Sequence, residues 1–182
     1  METYISILRG INVSGHRKVP MADLKLIYEG SGFQDVITYI QSGNVIFKAD
    51  KKYTSQSLGK ILEKKIDEKF NLDVPVIVLQ GKEIEKILST NPFVKMNDIN
   101  IEKLHVTFLE KVPSTNELKK IKKYDYSPDR FIIKDREVFL YCPGGYGKTK
   151  LSNNFFENKL KVRATTRNWK TINKLVELAS GK

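Results

Sequence analysis

The feature that most constrains the fold of this 182-residue chain is an order of predicted elements that occurs twice. Apolar periodicity and turn residues predict strand, helix, strand, strand, helix, strand, helix over residues 3–90. The same order can be laid over residues 103–180. A repeated order of this kind favours two copies of one small α+β unit, joined in tandem.

The first copy has its clearest signals in a hairpin and a long helix. Residues 36–40 and 45–47 are predicted strands on either side of the turn 41–44, where Gly43 can adopt a positive φ. Residues 55–70 place their apolar side chains on one face, which is typical of a helix packed on a core.

The second copy begins with an alternating strand at residues 103–109. Ser114 and Glu117 have the spacing of a capping box and predict the start of a helix. A second hairpin is predicted over residues 131–141. Thr166 is predicted to cap the last helix, which carries apolar residues toward the core.

The order βαββαβ is that of the ferredoxin-like unit, in which the helices cover one face of the sheet. We therefore predict an α+β protein of two ferredoxin-like subdomains, residues 1–90 and 103–182, with a connector at residues 91–102. Because halves of this size are marginally stable alone, we expect them to pack as one compact body.

The net charge of +11 is unevenly distributed. Residues 1–90 carry 13 Lys and Arg against 11 Asp and Glu, and residues 91–182 carry 19 against 10. This asymmetry favours an anionic partner, such as nucleic acid or a phosphorylated small molecule. The alternative is a lysine-rich surface that only water contacts.

The composition also predicts a compartment. The single cysteine, Cys142, cannot form an internal disulfide, which fits a reducing environment. The N-terminus lacks the basic and apolar segments of a signal peptide. The longest apolar run, residues 74–79, is far shorter than the ~20 residues that cross a bilayer. We predict a cytoplasmic protein that does not bind membranes.

Five sequence motifs stand out, at residues 8–15 (LRGINVSG), 18–21 (KVPM), 39–45 (YIQSGNV), 147–151 (GKTKL) and 164–169 (ATTRNW). Together they resemble the family of unknown function known as DUF1697. The resemblance implies a bacterial cytoplasmic protein of two ferredoxin-like subdomains. It implies no reaction.

A first group of candidate ligand-binding residues lies in the loop 9–18 and the turn 41–44. Arginine offers a planar fork to phosphate or carboxylate, and amides can orient a ligand. Alternatively, the same side chains hydrogen-bond the backbone of their own loops. The candidates are Arg9, Asn12, Lys18, Gln41, Ser42 and Asn44.

A second group surrounds a glycine-rich loop with two lysines. The loop resembles a phosphate-binding P-loop, but Cys142 stands where the first glycine is required, so we do not predict nucleotide hydrolysis. Accessible backbone donors beside lysine would still suit an anion. Arg167 joins the group as part of a basic side of the last helix, with Lys170 and Lys174. The candidate anion-binding residues are Gly145, Gly147, Lys148, Lys150 and Arg167.

These observations support three hypotheses. The first is a binding module for a phosphate-bearing ligand or nucleic acid. The second is a small-molecule enzyme with its site between the 9–18 loop and the 41–44 turn. The third is a protein that binds a partner through a sheet edge or an apolar patch. His16 and His105 have no clustered ligands, so no metal site is predicted. The sequence identifies no catalytic residue, cofactor or oligomeric state.

Overall fold

The computed structural model describes residues 1–13 and 15–181. Over these residues the chain forms two four-stranded antiparallel sheets and six α-helices, which confirms the predicted α+β class. The predicted subdomain boundaries at residues 90 and 103 stay a prediction.

The elements of the first half follow the predicted order. They are β1 (Glu2–Leu8), α1 (Met21–Gly30), β2 (Gln34–Tyr39), β3 (Asn44–Ala49), α2 (Ser55–Phe70), β4 (Val76–Gln80) and α3 (Gly81–Thr90).

The second half also follows its predicted order. Its strands and α-helices are β5 (Leu104–Leu109), α4 (Thr115–Ile121), β6 (Arg130–Lys134), β7 (Glu137–Tyr141), α5 (Asn153–Leu160), β8 (Ala164–Asn168) and α6 (Trp169–Ala179). Short 3-10 helices lie at Pro92–Lys95, Ile101–Lys103 and Tyr146–Lys148.

Two compact units divide the chain. The first consists of Met1–Ile87 and Lys174–Lys182, and the second of Leu88–Asn173. The second unit holds most of the positive charge, with 17 Lys and Arg against 9 Asp and Glu.

The first sheet has the strand order β2-β3-β1-β4. Tyr4 and Leu8 of β1 point to the same face, where they join a buried cluster with Leu24 and Tyr28 of α1 and with the apolar face of α2. Both helices therefore cover one face of this sheet. The Ser6 and Tyr28 hydroxyls, 2.6 Å apart, satisfy each other inside this core.

Local side-chain bonds define the ends of α2. The hydroxyl of Thr54 accepts from the backbone N–H of Ser57, and the Ser57 hydroxyl accepts from the N–H of Thr54, which completes a capping box. Asn71 ends the helix in the left-handed conformation, with φ 53°.

The second sheet has the corresponding order β6-β7-β5-β8. Its core lies between one sheet face and helices α4 and α5, and includes Leu109, Val138, Leu140, Phe156 and Leu160. The predicted helix start at Ser114 is confirmed, because its hydroxyl accepts from the backbone N–H of Glu117.

The predicted cap of the last helix is wrong. Helix α6 begins at Trp169, and the side-chain oxygen of Asn168 accepts from the N–H of Thr171 at 2.8 Å. Thr166 instead lies within β8, because that strand stays paired with β5 as far as the partners Asn168 and His105. The strand ladder therefore extends past the residue that local capping rules favour.

Candidate functional site

The structure brings the 9–18 loop and the 41–44 turn into contact within the first unit. The side-chain amide of Asn12 donates to the carbonyls of Val19 and Gln41, each at 2.9 Å. Its side-chain oxygen accepts from the N–H of Val19 at 2.8 Å. Asn12 thus uses both ends of its amide to join loop and turn, which is the backbone-bonding role considered above.

The turn itself is held by Asn44 and Gly43. The amide of buried Asn44 donates to the carbonyl of Tyr39 and to the hydroxyl of Ser42, both at 3.1 Å. Gly43 has φ 76°, and its carbonyl accepts from the N–H of Leu8 at 2.8 Å. Gln41 contributes its backbone carbonyl to this junction.

The basic candidates of the first group, Arg9 and Lys18, have separate environments. Arg9 is half-buried and donates its backbone N–H to the carbonyl of Pro75, whereas Lys18 is exposed. Nearby in the loop, Arg17 donates from its guanidinium to the carbonyl of Asp73. The hydrogen bonds therefore connect Asn12, Gln41, Ser42 and Asn44, and the binding of a ligand by the first group stays a prediction.

The glycine-rich loop of the second unit does not run directly into a helix. The N–H of Gly145 donates to the carbonyl of Cys142, and the N–H of Lys148 to that of Gly145, so part of the predicted donor set is already bonded. Helix α5 begins only at Asn153, after the loop. Lys148, Gly147 and Lys150 are exposed.

The structure places Arg167 in strand β8, so the predicted basic side of the last helix does not include it. Its guanidinium donates to the Thr165 hydroxyl at 3.2 Å and to the Thr166 carbonyl at 2.8 Å. Burial lowers the pKa of Arg167 to about 10, partly offset by the electrostatic effect of Tyr146. Arg167 therefore stays cationic at neutral pH while mostly withdrawn from solvent.

Tyr146 links the glycine-rich loop to this end of the sheet. Its hydroxyl donates to the Thr166 hydroxyl at 3.0 Å, and Thr166 in turn donates to the side-chain oxygen of Asn153 at 2.7 Å. The Tyr146 ring stacks on His105 with centroids 4.9 Å apart. Burial lowers the pKa of His105, which keeps its imidazole neutral at pH 7.

A groove of about 500 Å³ lies on the second unit beside the edge strand β6, and we call it the tyrosine groove. Its walls are mainly aromatic and aliphatic, with a few charged groups at the rim. The lining residues are Phe93, Met96, Lys122, Tyr124, Tyr126, Asp129, Arg130, Phe131, Ile132 and Ile133.

The segment 122–129, which connects α4 to β6, forms one side of the groove. The carboxylate of Asp125 accepts from the backbone N–H of Ser127 at 2.9 Å and from its hydroxyl at 2.7 Å. These bonds lower the pKa of Asp125 and close a tight turn between Tyr124 and Pro128. Asp129 accepts from the Thr149 hydroxyl at 2.5 Å, which attaches this segment to the glycine-rich loop.

The two tyrosines of the groove have different environments. Tyr126 packs edge-on against Phe131 and Phe155, at centroid distances of 5.4 and 5.2 Å, and is half-buried. Tyr124 is 58% exposed, and the ammonium of Lys159 lies 4.7 Å from its ring centroid. Tyr126 is thus part of the core rim, whereas Tyr124 offers an aromatic surface to solvent.

The charges around the groove are mainly positive. Arg130 is held in place by an ion pair with Asp98 at 2.8 Å and by the Tyr141 ring 5.0 Å from its guanidinium carbon. Lys119, Lys122 and Lys123 are exposed, and within the described part of the chain they form no ion pair. These three lysines are available to an incoming anion.

Among residues 1–13 and 15–181, no group of three or more His, Cys, Asp or Glu side chains could hold a metal ion. No helix in that part of the chain combines the length and apolar character of a membrane span.

Fold and site together define an α+β protein with two four-stranded sheets and a groove rimmed by lysine and tyrosine. The chain belongs to the family described as protein of unknown function (DUF1697), whose sequence profile matches residues 1–139. This confirms the resemblance seen in the sequence, although the motifs at 147–151 and 164–169 lie beyond the matched residues.

A solved structure has the same fold. It is that of the conserved bacterial protein SP0830 from Streptococcus pneumoniae, with a TM-score of 0.76, 22% sequence identity and coverage of 98% of each chain. No curated protein matches the sequence.

The residues of the tyrosine groove were not among the predicted site residues. The sequence signal for them is limited to two adjacent lysines followed by Tyr124 and Tyr126 in the segment KKYDYSPD at 122–129. Cationic side chains next to aromatic rings are the two elements that surfaces for single-stranded nucleic acid combine. What the sequence could not show is that Phe93 and Met96, about thirty residues earlier, complete the groove.

Proposed function

We propose that this protein binds a phosphate-bearing ligand through the tyrosine groove of its second unit. The single observation that carries the proposal is a groove of about 500 Å³ lined by the exposed Tyr124 and by Lys122, an unpaired lysine with two further unpaired lysines, Lys119 and Lys123, close to it in the chain. A cavity of this volume suits a small ligand or one residue of a longer one.

The electrostatics support an anion. The second unit has eight more Lys and Arg than Asp and Glu, whereas the first unit has only three more. Two carboxylates near the groove, Asp125 and Asp129, are each engaged in hydrogen bonds to neighbouring hydroxyls. Among the charged residues that line the groove, Lys122 and Arg130 outnumber Asp129, which favours an anion.

We further propose that each unit is a ferredoxin-like βαββαβ fold, as the sequence predicts. The support is the matched strand orders β2-β3-β1-β4 and β6-β7-β5-β8, each with two helices on one face of the sheet. A cytoplasmic location stays a prediction from the composition.

The enzyme alternative at the junction of the 9–18 loop and the 41–44 turn gains no support from the geometry. The amide groups of Asn12 and Asn44, which would orient a substrate, already bond backbone carbonyls. A partner-binding role through an exposed sheet edge likewise rests on the sequence hypothesis alone.

The test is to measure the affinity of the protein for fluorescein-labelled inorganic polyphosphate by fluorescence anisotropy, at salt concentrations between about 50 and 200 mM. If three lysines each displace a counterion, the slope of log K against log salt is about −2. The double variant K122E/K123E should weaken binding at least tenfold and flatten this slope.

The matched control is K51E/K52E, which makes the same change in net charge at exposed lysines of the first unit. We expect this control to retain nearly all of the affinity. Equal losses in the two double variants would show that only net charge matters, and an absence of binding by the wild type would refute the proposal outright.

A further inference from the structure

We propose that the ligand of the tyrosine groove is a single-stranded nucleic acid that stacks one base on Tyr124. This inference rests on the proposed function, because it specifies which phosphate-bearing ligand the same site binds. It is drawn from the surroundings of the Tyr124 ring and from the arrangement of the nearby lysines.

The first step concerns the Tyr124 ring. It is 58% exposed, while the ammonium of Lys159 occupies one of its faces at 4.7 Å from the centroid. A flat partner that stacks on this ring would therefore use the face opposite Lys159. A cation over one face fixes the ring in place and leaves the other face for a flat partner, and a nucleobase stacks well on such a surface.

The second step concerns what holds Tyr124 in position. The preceding helix α4 ends at Ile121, which is fully buried, and the following turn is closed by the bonds of Asp125 to Ser127. The ring centroid of Tyr126 lies 6.3 Å from that of Tyr124. The segment is therefore anchored on both sides of the exposed ring, so binding should cost little conformational entropy in this segment.

The third step concerns the phosphates. Lys119, Lys122 and Lys123 follow the i, i+3, i+4 spacing that places side chains on one side of a helix, although the last two lie just beyond the end of α4. Lys122 and Lys123 directly precede Tyr124 in the chain, and Lys119 lies about one helical turn earlier, so the three charges are spread along the segment. This arrangement suits a backbone that carries successive phosphates better than one isolated phosphate.

The fourth step distinguishes a single strand from a duplex. A base can stack on a tyrosine only when its face is exposed, and base pairs in a duplex cover both faces of each base. Sequence-tolerant binding of single strands combines a cationic surface with such aromatic rings. The structure offers both elements side by side, in the groove and in the adjoining lysines.

The experiment compares four labelled probes and one unlabelled competitor by anisotropy at fixed salt. They are labelled oligothymidylates of one, four and eight nucleotides, a labelled duplex of eight base pairs, and inorganic polyphosphate of matched length as an unlabelled competitor. We expect affinity to rise with oligonucleotide length and to be higher for the eight-nucleotide strand than for the duplex or polyphosphate.

The variants Tyr124→Leu and Tyr124→Phe identify the contribution of the ring. Leu keeps apolar bulk and removes the aromatic face, so we expect a five- to hundredfold loss for the eight-nucleotide strand, in line with the energy of base–aromatic stacking. Phe should bind as the wild type does. Neither variant should change competition by polyphosphate more than twofold. Thermal melts check that each variant is folded.

The outcomes separate the inference from the proposed function. If polyphosphate and oligonucleotides bind equally and Tyr124→Leu binds both normally, the base-stacking inference is wrong and the phosphate site remains. Tighter binding of the duplex, or no gain with length, also overturns it. If no probe binds, the proposed function itself is wrong. Should Tyr124→Leu fail to fold, the length series and the duplex comparison still decide.

Discussion

Gly43 should be the least replaceable residue of the turn 41–44, and the substitution Gly43→Ala tests this. The added Cβ would lie 2.7 Å from Cδ1 of Ile11 and 2.8 Å from Cβ of Leu8. The Cβ of Leu8 is fixed by the backbone of strand β1, and the Ile11 side chain is only 1% exposed, so the added methyl would crowd packed atoms. The backbone of Gly43 also has φ 76°, a conformation that residues other than glycine rarely adopt.

Two terms set the expected loss of stability. An alanine in the left-handed region costs about 1–2 kcal/mol. Forcing an extra methyl into a packed site costs a further ~1–3 kcal/mol. We therefore expect Gly43→Ala to lower the free energy of unfolding by about 2–5 kcal/mol.

Gly32→Ala is the matched control within the same unit. Gly32 has φ 82°, but an added Cβ there would meet no heavy atom within 4 Å. Gly32→Ala should therefore lose only the conformational cost of alanine at positive φ, about 1–2 kcal/mol. Both alanine variants gain equally from a less flexible unfolded chain, so this gain cancels in the comparison. The difference between the two variants in free energy of unfolding isolates the steric cost of the Cβ added at position 43.

The assay is urea unfolding followed by far-UV circular dichroism, with both variants measured beside the wild type. The reasoning predicts that the midpoint for Gly43→Ala lies clearly below that for Gly32→Ala. Equal midpoints would refute it, because the close approach of the turn to Ile11 and Leu8 would then contribute nothing to stability.

Three further predictions concern single side chains. Asn12→Ala removes three hydrogen bonds to backbone groups and should lower the free energy of unfolding by about 2–4 kcal/mol. A decrease below about 1 kcal/mol, measured by urea unfolding, would contradict the role of Asn12 in joining the loop to the turn. Burial raises the pKa of Cys142 to about 11, so a thiol reagent at pH 7.5 should react slowly with the folded protein and rapidly with the urea-unfolded protein. Fast labelling of the folded protein would show that the thiol is exposed. Burial lowers the pKa of His105 below its ordinary 6.5, so the unfolded chain binds the extra proton more readily and stability should fall as the pH drops below about 6.5. Thermal melts of His105→Gln should show a shallower fall of stability with pH than the wild type, and parallel curves would argue against this linkage.

Local signals in the sequence predicted most of the secondary structure because they act within a few residues. The hairpin around Gly43 needs only a turn residue with positive φ between two β-rich runs. The helix start at Ser114 needs only a hydroxyl three residues before an N–H. Both features appear where the sequence places them.

The end of strand β8 could not be predicted in the same way. Thr166 has the side chain of a good helix cap, and nothing near it in sequence indicates that β8 continues to Asn168. The continuation depends on pairing with His105, which is about sixty residues away. Arg167 was assigned to the wrong element for the same reason.

The candidate site was missed because its parts come from distant segments. Residues 122–129 follow a helix and contain no strong strand or helix pattern, and their lysines and tyrosines alone did not indicate a site. The groove exists because Tyr126 packs against Phe155 and because Phe93 and Met96 close the far side. Such contacts depend on tertiary packing, which a single sequence does not reveal.

The location of the ligand is the most direct test of the central claim. An ¹⁵N-labelled sample titrated with an eight-nucleotide oligothymidylate, and in parallel with polyphosphate, would report which backbone amides change their NMR shifts. We predict that the largest shifts with both ligands fall in residues 119–131 and that only the oligonucleotide perturbs Tyr124 and Tyr126 strongly. Shifts confined to residues 9–18 and 41–44, or no shifts at all, would contradict the assignment of the binding site to the tyrosine groove.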